Sequence, residues 1–328
     1  MSADFAVVGG GIVGCALAAF LAEGGARVVV HEREAIAAGA SGRNSGVVQD
    51  PLDPALTRLY EESLEHYRTL EGFAFPADPV GLLLVSEQPF EHPGTELIED
   101  PHTLEPALAP GLFARRIDTG RPVPPAAAAH AWADRAKRAG TEFRIGEPGP
   151  TDGPRVIAAG PWTGELLDLP ITPIWGVVVE FELPDAPTHV LEEAGIDSLT
   201  SGAMPETLFS AVTARGISAI GSTFEPGKPD PEAKAPSIVA HATRFLPGLD
   251  RNPMRGLRAC ARPGSADGRP LLGRIDEDVY VAGGHGAWGI TLGPASARLV
   301  ADLMLGKPAE IPPALDVSRF SPSSSPSR

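Results

Sequence analysis

The sequence predicts an α/β protein built around a parallel sheet, and three observations predict it. Residues 5–34, "FAVVGGGIVGCALAAFLAEGGARVVVHERE", read as strand, helix and strand in succession. Near the other end, "DVYVAGG" (278–284) followed by "ITLGPASARLVADLML" (290–305) repeats the strand–turn–helix order. Between them lie short apolar runs with strand character: "VGLLLVS" (80–86), "VVVEFEL" (177–183), "TLFSAVTA" (207–214) and "ISAIGSTF" (217–224).

The first unit is the most specific. "FAVVG" is apolar and β-branched, as a buried parallel strand requires. "IVGCALAAFLAEGG" is rich in alanine and leucine and ends in glycines, the pattern of a helix with its C-cap. "ARVVVHE" is the second buried strand. Gly9, Gly11 and Gly14 form Gly-x-Gly-x-x-Gly. The first allows a tight turn, the second lets backbone approach a pyrophosphate, and the third lets helix and strand pack closely. The N–H groups opening the helix, Ile12 and Val13 among them, favour phosphate. Glu32 ends the second strand 18 residues after Gly14, with Arg33 beside it. Its carboxylate suits ribose hydroxyls and repels a 2′-phosphate, so a dinucleotide other than NADP is expected.

"AAGASGRNSGVV" (37–48) follows. So little side-chain volume suits a loop lying against a flat ligand, with Ser41, Arg43, Asn44 and Ser45 as polar contacts; an ordinary surface loop is the other reading. "DPALTRLYEESLEHYRTLEG" (53–72) reads as a helix with Asp53 as N-cap and Pro54 in the first turn. "PPAAAAHAWADRAKRAG" (124–140) reads as another. The tail "SPSSSPSR" is low-complexity and expected to be disordered.

Composition narrows the function. Among 328 residues, 42 acidic side chains outweigh 27 basic ones, for a net charge of −15, which argues against nucleic acid and anionic membrane as partners. No apolar run has the length of a membrane span. Two cysteines, Cys15 and Cys260, imply no disulfide framework, and no secretory signal is read at the start, so a cytoplasmic location is expected. No Ser-His-Asp pattern, Cys-x-x-Cys or metal-spaced histidine cluster stands out, and no metal is expected.

Residues 255–305 extend the reading. "RPGSADGRPLLG", a strand, "GHGAWGITLGP" and a helix, taken with the opening unit and "GASGRNSG", resemble the D-amino-acid oxidase, glycine oxidase and sarcosine oxidase family of FAD enzymes. "RVIAAGPWTGELL" (155–167) resembles that family's strand, Ala-Gly and Trp segment, and "ITPIWGVVVEFEL" (171–183) the strand opening its substrate sheet. The resemblance implies a Rossmann-like FAD-binding domain (1–72, 119–168 and 255–328) interleaved with a smaller, mostly antiparallel β substrate-binding domain (73–118 and 169–254). One departure stands out: after "TEFRIG" (141–146) the family's extra strands are reduced here to "EPGPTDGP".

The resemblance also implies site residues. Gly160 and Trp162 join the cofactor contacts. So do Gly284, His285, Gly286, Gly289, Ile290 and Thr291, where the second helix N-terminus faces the flavin's pyrimidine end; for His285 a structural role is favoured over acid–base chemistry. Arg262, just before "P-x-x-x-D-G", is the residue expected to hold a substrate carboxylate, a task its forked guanidinium suits. Arg258, four residues earlier on the same strand face, is a second anchor or an ion-pair partner. Cys260 matches the spacing of a cysteine that sarcosine-oxidase-like relatives bond to the flavin 8-methyl carbon; a small buried residue is the other reading. Tyr60, Tyr67 and Tyr280 lie outside the expected substrate sheet, where Phe209, Thr213 and Trp175 are candidates instead.

The expected activity is FAD-dependent oxidation of an amino acid or related amine. Hydride passes from the substrate Cα–H to flavin N5, the imine hydrolyses, and O2 or another acceptor takes the electrons. A 2-hydroxy-acid dehydrogenase and a flavin-binding partner subunit without its own turnover remain as alternatives. Oligomeric state is left open.

Overall fold

The computed structural model describes residues 3–195 and 206–320, so the low-complexity tail lies outside the described residues. In chain order the first third holds β1 (Phe5–Val8), α1 (Ile12–Glu23), β2 (Val28–Glu32), α2 (Ala40–Arg43), β3 (Val47–Val48), α3 (Thr57–Arg68), β4 (Leu82–Ser86) and β5 (Leu97–Glu99). Then come β6 (Phe113–Ile117), β7 (Arg121–Pro122), α4 (Pro125–Arg138), β8 (Glu142–Ile145), β9 (Arg155–Ile157), α5 (Thr163–Leu166), β10 (Ile171–Phe181) and β11 (Val190–Glu193). The last third holds β12 (Thr207–Ala214), β13 (Ile217–Thr223), α6 (Pro231–Ala242), β14 (Met254–Ser265), β15 (Leu271–Asp276), β16 (Val279–Gly283) and α7 (Gly289–Met304).

Two sheets organise these elements. The first runs β15-β16-β9-β1-β2-β8 and is parallel except at β15. Its inner strands β16, β9, β1 and β2 are mostly apolar, in keeping with the cover of α1, α4 and α7; α1 is buried from Ile12 to Leu21, as a helix apolar on all sides must be. The second runs β14-β10-β13-β12-β11-β4-β6-β5 and is antiparallel except where β11 meets β4. On β10 the alternation is plain. Val177, Val179 and Phe181 join a core with Phe209, Ala211, Phe245 and α6 residues, while Ile174, Gly176 and Val178 face the other way, into a cavity.

Two sequence expectations differ in detail. The helix expected over 53–72 begins only at Thr57. Asp53 accepts from Ala55 N (3.0 Å) in the turn before it and pairs with Arg269 (2.7 Å), so it does not cap α3. "EPGPTDGP" forms no strand, in keeping with the shortened excursion, and residues 146–151 lie against the cavity. β14, which the sequence-based limits group with the nucleotide-binding segments, pairs with β10 from Ile171↔Ser265 to Phe181↔Met254; the chain rejoins the parallel sheet at Leu271.

Candidate functional site

A cavity of about 890 Å³ lies between the C-terminal ends of β1, β2, β9 and β16 and one face of the antiparallel sheet. The crevice beyond the carboxyl ends of parallel strands is where such folds bind ligands.

At its nucleotide end the three glycines do different things. Gly9 has φ +116°, and a Cβ there would sit 2.4 Å from Ala158 O. A Cβ on Gly11 would press on Ser41 Oγ at 3.0 Å, the atom that accepts from Ile12 N (3.0 Å). A Cβ on Gly14 would lie 1.9 Å from Gly9 O, so Gly14 sets the helix–turn packing and does not itself line the cavity. Gly11 caps α1 without a side-chain cap of its own, and with Ile12 N held by Ser41 Oγ the other first-turn N–H groups are left for an anion. Glu32 accepts from Gly10 N and Glu34 N, both at 2.7 Å, and keeps lone pairs toward the cavity.

The Arg33 guanidinium lies 4.4 Å from the Trp162 ring centroid, and Gly39 leaves room for that ring. Asn44 ties the following turn together, donating to Ala40 O (2.8 Å) and accepting from Gly46 N (2.8 Å). Ile12, Val13, Ser41, Ser45 and Gly160 complete this wall. Of the expected contacts, Arg43, Gly284 and Thr291 do not line the cavity. Gly284, at φ +71°, supplies a turn packed on Leu271, and Thr291 Oγ1 accepts from Gln49 N (3.4 Å).

Across the cavity His285, Gly286, Gly289 and Ile290 present the start of α7. His285 is 2% exposed and its Nε2 has no hydrogen-bond partner among the described residues. Burial lowers its pKa to about 4, so it is neutral. A helix N-terminus at each wall, an acid at the ribose position and an unpartnered buried nitrogen fit a long, doubly phosphorylated cofactor such as FAD.

The antiparallel sheet forms the remaining wall. Arg262 Nη2 donates to Ser222 Oγ (2.5 Å) and Nη1 to Thr223 O (3.2 Å), and the guanidinium stands 4.5 Å from the Phe224 ring centroid. Gly176 makes this possible, because a Cβ there would meet Nη1 at 2.4 Å. Burial pulls the Arg262 pKa down, and no acid among the described residues pairs with it. Arg258 Nη1 instead lies 3.3 Å from Glu180 Oε1, and Arg258 does not reach the cavity. Cys260 lines the wall, and burial pushes its thiol above the ordinary value.

Three expected substrate residues lie elsewhere. Phe209 stacks on Phe245 (4.6 Å) on the opposite face, Thr213 Oγ1 bonds Ser218 Oγ (2.9 Å), and Trp175 pairs with Glu225. The residues that do line this end, and that sequence reading missed, are Gln49, Glu192, Ser210, Val212, Ser222 and Phe224. Strand alternation carried part of the signal: once Phe209 faces the core, Ser210 and Val212 must face the cavity.

Comparison with known proteins agrees with this geometry. The family described as FAD dependent oxidoreductase matches residues 4–303. A glycine oxidase of Bacillus licheniformis is 25% identical over 94% of this chain and 94% of its own length. A glycine oxidase of Pseudomonas aeruginosa is 33% identical over 48% of this chain, and the match spans 43% of that protein, less than half its length. The crystal structure of glycine oxidase from Geobacillus kaustophilus superposes with a TM-score of 0.81 at 23% identity, covering 97% of this chain and 99% of that one. The chain belongs to the FAD-dependent oxidoreductase family, and FAD is its cofactor. No helix among the described residues is long and apolar enough to cross a membrane.

Proposed function

We propose that this FAD-dependent oxidoreductase oxidises an α-amino acid or a related carboxylate-bearing amine. One observation carries the reading: Arg262, half-buried in the cavity wall, has among the described residues only a hydroxyl and a backbone carbonyl as hydrogen-bond partners and no acid to neutralise it. A desolvated guanidinium in that state favours an anion, and its fork matches a carboxylate.

The division of labour follows. Gly11, the N–H groups opening α1 and Glu32 would hold the pyrophosphate and ribose; the start of α7 and His285 would face the flavin ring. The bound flavin supplies a hydride acceptor at N5. Arg262 would hold the carboxylate and so orient the substrate Cα–H toward that acceptor. The apolar side chains of Ile174, Val178 and Val212 keep water from the same space. An amine leaves this site as an imine, which water hydrolyses to an oxo acid and ammonia or an amine. The glycine oxidases among the relatives support O2 as the acceptor, with hydrogen peroxide as product. The buried, protonated Cys260 thiol supports FAD held without a covalent link, since a thiolate is the reactive form.

The test is anaerobic. A panel of D- and L-amino acids, glycine and N-methyl amino acids is added to the FAD-loaded protein while the visible flavin band is followed. Bleaching by an amino acid, with ammonia or amine released, is expected, and peroxide should appear on admitting air. Bleaching by 2-hydroxy acids alone would replace this reading with its hydroxy-acid alternative.

A further inference from the structure

Among the described residues, the antiparallel sheet turns one cation and one acid into the cavity, Arg262 and Glu192. Strand register places them along one row. Gly221 pairs with Ser210, and Ser210 with Glu192; the Arg262 guanidinium sits on Ser222, next to Gly221. The strands carrying Ser222 and Glu192 are therefore two steps apart, β13–β12–β11, about 10 Å at the usual strand spacing. Ser210 and Val212 form the floor between them.

Glu192 is also fixed in place. Gln49 Nε2 donates to Glu192 Oε1 (3.0 Å), and Gln49 N donates to Thr291 Oγ1 on α7 (3.4 Å). The carboxylate is thus anchored toward the wall that the start of α7 shares. An α-amino acid has about 2.5 Å between its nitrogen and carboxyl carbon. With a charge-assisted hydrogen bond of about 2.8 Å at each end, a zwitterion laid along the row has a length comparable to these two strand steps.

We propose that Glu192 is the ammonium-binding end of the substrate site, so that Arg262 and Glu192 hold an α-amino acid by both charged ends. This rests on the oxidation reading above and deepens it. A 2-hydroxy acid or a plain carboxylate would satisfy Arg262 but leave an anion beside the Glu192 carboxylate with no cation between them. The site therefore selects amines over hydroxy acids by charge, not by shape.

Three compounds of nearly one shape test this without turnover, because none has a hydrogen that can leave as hydride from an amine-bearing or hydroxyl-bearing carbon: 2-aminoisobutyrate, 2-hydroxyisobutyrate and isobutyrate. Their dissociation constants are read from perturbation of the visible flavin band of the FAD-loaded protein. The native protein should bind 2-aminoisobutyrate at least tenfold more tightly than the other two. Glu192→Gln should weaken 2-aminoisobutyrate roughly ten- to a hundredfold. The same change should leave isobutyrate unchanged or bind it more tightly, a reversal that a merely structural role for Glu192 would not produce. Glu192→Ala should level the three in the same way. Native binding of isobutyrate or 2-hydroxyisobutyrate as tight as that of 2-aminoisobutyrate, failure of 2-aminoisobutyrate to bind, or an unchanged ranking in Glu192→Gln would each overturn the assignment. If the ranking holds while no amino acid bleaches the flavin, the reaction reading fails and the two-ended clamp stands.

Discussion

The two ends of the cavity are built by different means. At the nucleotide end the work is done by missing side chains: Gly9, Gly11 and Gly14 sit where any Cβ would strike Ala158 O, Ser41 Oγ or Gly9 O. The binding groups there are backbone N–H groups and one carboxylate, all supplied within residues 9–45. At the substrate end the work is done by charge and register. Arg262, Ser222, Ser210 and Glu192 come from four separate strands and meet only because β14, β10, β13, β12 and β11 pair as they do, and Gln49 joins them from the chain just after β3. The first end depends on local sterics and tolerates substrate diversity; the second is where specificity can change without disturbing the cofactor.

The largest expected effect separates the ends most sharply. Arg262→Ala removes the guanidinium while leaving Gly176, Ser222 and Thr223 in place. Truncating one side of a buried charge pair costs about 2–5 kcal/mol, or roughly 30- to 5000-fold at about 1.4 kcal/mol per decade. Substrate-driven flavin reduction should fall by that factor while FAD stays bound. Arg262→Lys should recover only part, because a point charge cannot reproduce the fork. Wild-type reduction rates in Arg262→Ala would show that the carboxylate is held elsewhere.

The complementary change lies at the other end. Glu32→Ala removes the acceptor of Gly10 N and Glu34 N together with the ribose site. A hydrogen bond to a charged group is worth about 1.5–3 kcal/mol, so FAD should bind roughly ten- to 150-fold more weakly by equilibrium dialysis. At saturating FAD the rate of flavin reduction should be close to native. A reduction rate that stays low with FAD saturated would mean that the two ends are coupled and that the contrast between them is wrong.

The contrast also explains what could be read from the sequence. Residues 5–34 carry their own signal: strand period, helix composition, glycine spacing and the terminal acid all lie within one window, and β1, α1 and β2 appear where expected. Arg262 could be singled out because its segment resembles that of a known family. Its state could not, because the absence of an acid partner depends on Gly176, Ser222 and Thr223, which are 39 or more residues away in sequence. Gln49 and Glu192 lie 143 residues apart, and nothing in either local sequence marks the pair. Phe209 shows how narrow the margin is. It stands beside Ser210 in "TLFSAVTA", yet a shift of one residue along a strand exchanges the core face for the cavity face.

The smallest effect is the sharpest control, because it compares two arginines on one face of one strand. Arg258 and Arg262 are four residues apart on β14, and their Cα partners on β10 are Val178 and Ile174. Both side chains start toward the same side of the sheet. They differ in what meets them. Arg258 faces Glu180 on β10 at 3.3 Å, with side-chain exposures of 19% and 26%, whereas among the described residues Arg262 meets a hydroxyl, a carbonyl and the Phe224 ring but no acid. Neutralised by its neighbour, Arg258 has little attraction left for a substrate anion. Arg258→Ala should therefore change amino-acid-driven flavin reduction by less than about threefold, while the lost ion pair costs stability on the order of 1 kcal/mol. A double substitution, Arg258→Ala with Glu180→Ala, should restore part of that stability by removing the stranded carboxylate. If Arg258→Ala slowed reduction as much as Arg262→Ala, charge pairing would not be what distinguishes the two positions. The substrate carboxylate would then have to reach past Cys260 toward Glu180, a path that the native ion pair should oppose.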